Sequence, residues 1–274
     1  MTLTADSGST KTTWLLDSGM DRNVFRTQGI NPFLQTEDDI RRVVTHELLR
    51  QDGFPAAGAV DAVRFYGAGC NRAKAPLLRR ILCDIFPNAA EVEVDSDMLG
   101  AARALCGSRE GIACILGTGA NSCLYDGQRI VSNVSPMGYI LGDEGSGAVL
   151  GRTFVNMLYK DGHEDTLQVF EKETGLTQAD IIQRVYREAM PNRFLASLAP
   201  FIRRYADDWE WIDEMVVDCF RLFFRRNIRH YARPDLPCSF VGSIAYHFER
   251  QLRRAANSEG FLIGVLMKEP LSMD

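Results

Sequence analysis

Histidine is scarce: 274 residues contain four of them, and His46, His163, His230 and His247 include no pair four residues apart. The two-imidazole spacing of a zinc helix is therefore missing, and no Gly-x-Ser-x-Gly elbow offers a nucleophile for a hydrolase. The seven cysteines, at positions 70, 83, 106, 114, 123, 219 and 238, are odd in number and include no Cys-x-x-Cys pair. Mostly set in apolar segments, they read as reduced, buried thiols rather than as a disulfide or metal framework. Long apolar runs are missing too. The first residues enter a strand-like run with no basic segment and apolar signal core, so no membrane partner and a cytoplasmic location are expected. An excess of basic charge is also lacking: the net charge is −5, and the arginines are dispersed except at Arg221, Arg225, Arg226, Arg229 and Arg233. That group reads as a solvated helix face, and no nucleic-acid partner is expected. The 46% hydrophobic content is ample for buried cores in one large domain or two ordinary ones.

What the chain does contain is a pair of small-residue turns, Asp6-Ser-Gly-Ser-Thr-Lys-Thr12 and Gly117-Thr-Gly-Ala-Asn121, each behind an apolar or β-leaning run. Glycine lets a backbone approach an anion closely, while Ser and Thr add hydroxyl donors to the N–H groups. Two such turns, far apart in sequence, suggest two halves that grip one polyphosphate. The first is not a P-loop, because it lacks the glycine four residues before a Gly-Lys pair. Thr13-Trp-Leu-Leu16 then suits a strand, where a P-loop would open a helix.

Asn23 to Thr27 alternates as a third strand, and Pro32 disfavours helix at Asn31, so a loop is expected there. Glu37 to Gln51 reads as a helix, Asp61 to Tyr66 as a strand running into Gly67-Ala-Gly69, Leu77 to Ile85 as a helical face, and Glu91 to Asp95 as a strand. An open α/β layer is the expected class for this first part. Gly67-x-Gly69 lacks the third glycine of a dinucleotide fingerprint, which leaves a tight turn as its role. Ile112 to Leu116 restarts the pattern, and Ser122 to Tyr125 followed by Asp126-Gly127 predicts a hairpin. The chain is thus a weak internal repeat with a plausible hinge at Gly107 to Gly111. Ile212 to Phe224 is a strong amphipathic helix whose stripe reads as core. Ser239-Phe-Val241 leads through Gly242 and Ser243 into an apparent helix from Ile244 to Ala256, a strand-turn-helix suited to an adenosine moiety.

Three acids stand out. Asp6 ends the first strand, where a carboxylate can hold Mg²⁺ through water beside the phosphates, or simply form the turn. Asp97 follows the Glu91 to Asp95 strand and precedes a helix; Ser96 or Asp97 can cap that helix. Asp97 can also serve as general base toward a hydroxyl attacking a γ-phosphorus, with Asp95 as the rival acid. Asp143 and Glu144 sit in the glycine-rich Leu141 to Ala148 loop. A carboxylate there can accept two bonds from vicinal sugar hydroxyls, or complement the dipole of the following helix.

Taken in order, Asp6 to Thr12, Asp95-Ser-Asp-Met-Leu-Gly-Ala-Ala102, Gly117 to Asn121, Pro136 to Ser146 and Val241-Gly-Ser-Ile-Ala245 resemble the N-acetylglucosamine kinase-like proteins. These belong to the BadF/BadG/BcrA/BcrD-type ATPases of the actin, sugar kinase and Hsp70 superfamily. The resemblance implies an α/β fold of two ribonuclease H-like, actin-like ATPase domains, residues 1–108 and 109–274, with a nucleotide cleft between them and a last helix able to pack back on the first. It implies ATP and Mg²⁺ as cofactors, with Gly8, Ser9, Thr10, Lys11, Gly117, Thr118 and Gly119 toward the phosphates, Gly242 and Ser243 toward the adenosine, and Asp6 toward the metal. Asp97 is then the catalytic base. Asn31, Ala120, Asn121, Pro136, Met137, Gly138 and Asp143 fall where such kinases contact an amino sugar, N-acetylglucosamine or glucosamine, at its 6-hydroxyl. The family's loop often carries an aromatic where this chain has Met137. Rival readings are an ATPase activator of a radical dehydratase, which would need clustered cysteine ligands, and a sensor that binds sugar or nucleotide without turnover. The sequence leaves a homodimer open.

Overall fold

The computed structural model describes residues 1–8 and 11–271, and these divide into two compact units, one up to residue 104 with 270–271 and one of residues 105–269. In the first, alternation along β1 (Thr2–Ser7) buries Leu3, Ala5 and Ser7 on one face. β2 (Lys11–Asp17) returns antiparallel with Ser7 opposite Thr12, and β3 (Arg22–Gln28) continues the meander. Next comes α1 (Glu37–Arg42), started by a capping box in which Thr36 and Asp39 satisfy each other's backbone N–H.

The expected helix from Glu37 to Gln51 is not uniform, because residues Val43–Leu48 widen into a π-helical turn. There the Thr45 hydroxyl donates to the Arg41 carbonyl at 2.8 Å, and Leu49 N–H reaches Val44 O at 3.0 Å. A hydroxyl that competes for an i−4 carbonyl loosens the local ladder. β4 (Ala62–Gly67), α2 (Ala75–Ile85), β5 (Glu91–Ser96) and α3 (Asp97–Cys106) follow. The sheet order is β3-β2-β1-β4-β5, with β1, β4 and β5 parallel. Its core holds Trp14, Phe25, Phe65, Leu78, Ile81 and Leu82.

The second unit repeats this sheet. β6 (Gly111–Leu116), β7 (Ala120–Tyr125) and β8 (Ile130–Asn133) form the meander. A helical stretch intervenes: α4 (Gly138–Leu141), α5 (Gly147–Lys160), α6 (Glu164–Thr174), α7 (Gln178–Tyr186), α8 (Pro191–Ala196), α9 (Ala199–Tyr205) and α10 (Glu210–Arg226). β9 (Cys238–Val241), α11 (Ser243–His247), α12 (Glu249–Glu259) and β10 (Ile263–Met267) complete it. The order β10-β9-β6-β7-β8 is the first sheet's order again, with β6, β9 and β10 parallel. Strand, turn, strand at the start of each half is therefore one topology used twice.

Two expectations change here. The single helix from Ile244 to Ala256 is broken at Phe248, whose φ of −110° and ψ of 29° leave the helix as its ring enters the core. β10 has no counterpart in the sequence reading: after Gly260 ends α12 at φ +80°, the short run Ile263–Met267 pairs beside β9. The apolar stripe of α10 is core as expected, with Ile212, Val216, Phe220, Phe223 and Phe224 fully buried. Six cysteines are buried, Cys83 on α2 is exposed, and all seven are free. Among the described residues no helix is long and apolar enough to cross a membrane.

Candidate functional site

In the first unit the hairpin between β1 and β2 closes with Gly8 N–H on Lys11 O at 3.0 Å. Of the turn residues picked out in the sequence, Ser9 and Thr10 lie outside the described residues. Asp6 occupies the face of β1 opposite Leu3 and Ala5, in register with Tyr66 on β4, which is in turn in register with Asp95 on β5. A cavity of about 500 Å³ opens along this face, lined among others by Asp6, Tyr66, Glu93 and Arg103. Arg103 bonds both carboxylate oxygens of Glu93 at 2.8 Å and also bonds the Tyr66 hydroxyl.

Asp97 is the first residue of α3, and the two roles open to it separate here. Ser96 Oγ accepts the Leu99 N–H at 3.3 Å, so Ser96 caps the helix. Asp97 Oδ1 accepts the adjacent Met98 N–H at 2.9 Å, its own backbone N–H also bonds the carboxylate, and burial still raises its carboxyl pKa above the ordinary aspartate value. Desolvation outweighs those N–H groups because it acts on the whole charged form. Asp95, the rival acid, accepts the Ser96 N–H at 2.6 Å. Both acids lie close enough to Cys70 to help burial push its thiol pKa up to about 12.

Asn31 sits in a turn of its own making. Its Oδ1 accepts Phe33 N–H at 2.9 Å, and its carbonyl accepts the N–H groups of Leu34 and Gln35. That commits the amide oxygen locally and leaves the amide NH₂ as the group to offer a ligand. Gly69, at φ +81°, lies against it: a Cβ there would come within 2.1 Å of Asn31 Oδ1. Glycine after β4 thus lets the Asn31 loop meet the segment that carries Cys70. The sequence reading missed Ser7 and Thr12, whose buried hydroxyls bind the backbone just before Asn31. The signal was available, since alternation puts Ser7 on the core face with Leu3 and Ala5.

In the second unit Gly117 N–H bonds Gly119 O at 3.0 Å, and the start of α5 is spent on the same turn. Gly147 N–H reaches Gly117 O at 2.8 Å, Ala148 N–H reaches Thr118 O at 3.1 Å, and Val149 N–H reaches the Ser146 cap at 3.2 Å. With those donors satisfied, any anion contact here must come from the turn rather than from the helix end.

Asp143 gathers four of the other sequence candidates. Its carboxylate accepts the N–H groups of Ala120 and Gly138, its own N–H bonds Pro136 O at 2.9 Å, and a Cβ on Gly119 would lie 3.1 Å from its Oδ2. Burial is the largest influence on this carboxyl and, with the nearby Glu144 charge, raises its pKa to about 6 against those two bonds. Glu144 itself points away, toward Arg226 Nη1 at 3.1 Å and Asn227 Nδ2 at 3.4 Å. Met137 lies on the rim at φ 61° and is 58% exposed. Asn121 uses Oδ1 within the sheet, accepting from Ser122 N–H at 2.9 Å and Asn133 Nδ2 at 2.8 Å. Tyr231, which the sequence reading did not single out, ties β7 to the segment before Pro136: its hydroxyl is 2.8 Å from Ser122 Oγ and accepts Val134 N–H at 3.2 Å.

Gly242 has φ +124°, and a Cβ there would lie 2.2 Å from Leu116 O at the end of β6. Its N–H is held by Met267 O of β10 at 3.0 Å. The helix that starts at Ser243 is only five residues long, so this turn contributes close backbone approach rather than a helix dipole. Among the described residues no group of three or more His, Cys, Asp or Glu could hold a metal.

No family model and no curated protein matches the chain. Among solved structures it is similar to a candidate N-acetylglucosamine kinase from Porphyromonas gingivalis, with 49% identity and a TM-score of 0.94 over 98% of this chain and 95% of that one. A candidate N-acetylglucosamine kinase from Chromobacterium violaceum has 20% identity and a TM-score of 0.73, covering 97% and 94%. A ROK family glucokinase from Streptomyces griseus, in complex with glucose and AMPPNP, has 16% identity and a TM-score of 0.53, covering 97% and 94%. The last two are likenesses of fold.

Proposed function

The chain belongs to the N-acetylglucosamine kinase-like family, and on that premise we propose that it is an ATP-dependent sugar kinase that phosphorylates an amino sugar, N-acetylglucosamine or glucosamine, at the 6-hydroxyl. The observation that carries this reading is Asp97. Ser96 takes over the cap, and a carboxylate with a burial-raised pKa is left at the rigid end of β5. A general base works best when its pKa lies near the working pH, and burial moves Asp97 in that direction.

The residues proposed for the nucleotide are the Asp6 to Thr12 and Gly117 to Gly119 turns toward the phosphates, with Gly242 and Ser243 toward the adenosine. When bound, Mg-ATP supplies the phosphoryl group and the charge that neutralises its oxygens. Asp6 holds the cation through water. Asn31 offers its amide NH₂ to the sugar. Asp143, oriented by the N–H groups of Ala120 and Gly138, accepts from sugar hydroxyls with its remaining lone pairs. Asp97 then takes the proton from the attacking hydroxyl.

Incubation with Mg-ATP and a panel of hexosamines tests the reading: a sugar 6-phosphate is expected, and no product from any member with folded protein would overturn it. Asp97→Asn should keep nucleotide binding and lower kcat about 10²–10⁴-fold, the usual worth of a general base. Undiminished turnover would move the base to Asp95 or elsewhere. The dehydratase-activator reading finds no support in the cysteines, since burial raises the thiol pKa of Cys70, Cys123 and Cys238 to about 12 and disfavours the thiolate an iron–sulfur cluster needs.

A further inference from the structure

The hydroxyls of Ser7 and Thr12 are both fully buried, on a sheet face otherwise built of Leu3, Ala5 and Trp14. Apolar residues would fill that face equally well, so two polar ones need partners there that alanine or valine could not serve. Those partners all lie in one place. Ser7 Oγ and Thr12 Oγ1 are 2.7 Å apart. Ser7 Oγ also lies 2.9 Å from Ile30 O and Thr12 Oγ1 3.1 Å from Gln28 O, so the two hydroxyl protons are shared among these three contacts. The Ile30 N–H returns to both, at 2.9 Å from Ser7 Oγ and 3.2 Å from Thr12 Oγ1.

The chain segment caught by this network runs from Gln28, the last residue of β3, to Ile30, which lies beyond the strand. Its next residue is Asn31. Ser7 itself adjoins Asp6, and Thr12 adjoins Lys11, so the two hydroxyls belong to the hairpin that faces the phosphates. One polar knot therefore joins the base of the phosphate hairpin to the base of the sugar loop, within one unit.

We infer that Ser7 and Thr12 are positioning residues that latch the Asn31 loop to the phosphate hairpin, so that the sugar and the polyphosphate are held in one frame and each favours the other's binding. This rests on the kinase reading above. Neither side chain can touch a ligand, since both are buried. They act through Ile30 and the loop it anchors.

The test compares Ser7→Ala, Thr12→Val, which keeps the shape and loses the hydroxyl, and Thr12→Ser, which keeps the hydroxyl. In Ser7→Ala and Thr12→Val the sugar KM at saturating ATP should rise about tenfold or more, as for loss of a well-made polar contact, while the Kd for Mg-ADP measured without sugar stays within about twofold. Thr12→Ser should restore the parent values. Amide hydrogen exchange gives an independent readout: the Ile30 N–H should lose protection in Thr12→Val and regain it in Thr12→Ser. Mg-ADP should protect the Asn31 to Gln35 amides in the parent protein and not in Thr12→Val. A weaker Mg-ADP Kd without sugar, together with the higher sugar KM and a lower Tm, would overturn the latch and leave a purely structural role. An unchanged sugar KM, or the same Mg-ADP response in both proteins, would also overturn it. If the parent protein phosphorylates no hexosamine, the kinase reading fails, and the exchange experiment with Mg-ADP still decides the latch by itself.

Discussion

Gly100→Ala places one methyl group where α3 crosses β4. A Cβ at Gly100 would stand 2.6 Å from Tyr66 Cβ, 2.7 Å from Cγ and 3.1 Å from Cδ2. Carbon atoms settle at about 3.5–4.0 Å, so α3 or Tyr66 must give way by about 1 Å. Tyr66 cannot yield easily, because its hydroxyl is bound by Arg103 and lies 3.1 Å from Glu93 Oε2. The helix is the part that moves. Two stability terms oppose each other: alanine gains about 1 kcal/mol in helix propensity, and overpacking costs about 1–3 kcal/mol. The net is a destabilisation of at most about 2 kcal/mol, a fall in Tm of up to about 4–8 °C. The effect on turnover should be larger. Asp97 lies one turn before Gly100 on the same helix, and a misplacement of about 1 Å at a reacting group costs about 10²-fold. Steady-state kinetics with Mg-ATP and the accepted sugar, beside a thermal melt, should show kcat falling far more than stability. A Gly100→Ala protein that melts higher than its parent and turns over at the parent rate would refute the argument, because α3 would then be free to slide without disturbing Asp97.

Asp143 sets a pH dependence whose sign is opposite for binding and for stability. With its pKa raised to about 6 from 3.8, the folded protein binds this proton more tightly than the unfolded chain. Its stability contribution therefore declines as pH rises from about 4 to about 6. Sugar binding needs the carboxylate, so sugar KM should climb as pH falls below about 6, and in Asp143→Asn that acid limb should vanish along with most of the affinity. Gly242→Ala forces a side chain onto Leu116 O at a φ of +124°, so it should lower Tm by several degrees and abolish nucleotide binding measured by calorimetry. A variant that folds and binds Mg-ADP normally would remove Gly242 from the proposed site.

The doubled sheet was legible because each half opens with the same local text, an apolar or β-leaning run, a glycine turn and a second strand. The helix that starts at Glu37 was legible from the helical spacing of Ile40, Val43, Val44, Leu48 and Leu49, while its Thr36–Asp39 capping box came from the structure. The missing pieces are those whose cause is tertiary. Nothing in the periodicity from Ile244 to Ala256 announces that Phe248 will turn its ring inward. β10 is five residues interrupted by Gly264, and it is a strand because β9 offers it an edge. Asp143 could be chosen as a sugar acid from its glycine-rich loop, but its anchoring by the Ala120 and Gly138 N–H groups joins segments about twenty residues apart in sequence. Choosing between Ser96 and Asp97 as helix cap needed coordinates, since both are good cap residues one position apart.

The distribution of thiols turns the molecule into its own reporter. Cys83 alone is open to a maleimide in the native state, while the other six are enclosed, three of them, Cys114, Cys123 and Cys238, at 0% exposure in the second sheet. A thiol reagent added under native conditions thus meets one reactive position at once and the rest only when the surrounding structure opens. Cys70 clocks the loop beside Asp97, and Cys219 clocks α10. The rate at which each becomes labelled, resolved by mass, measures how often that part of the fold breathes, with no tag or mutation introduced.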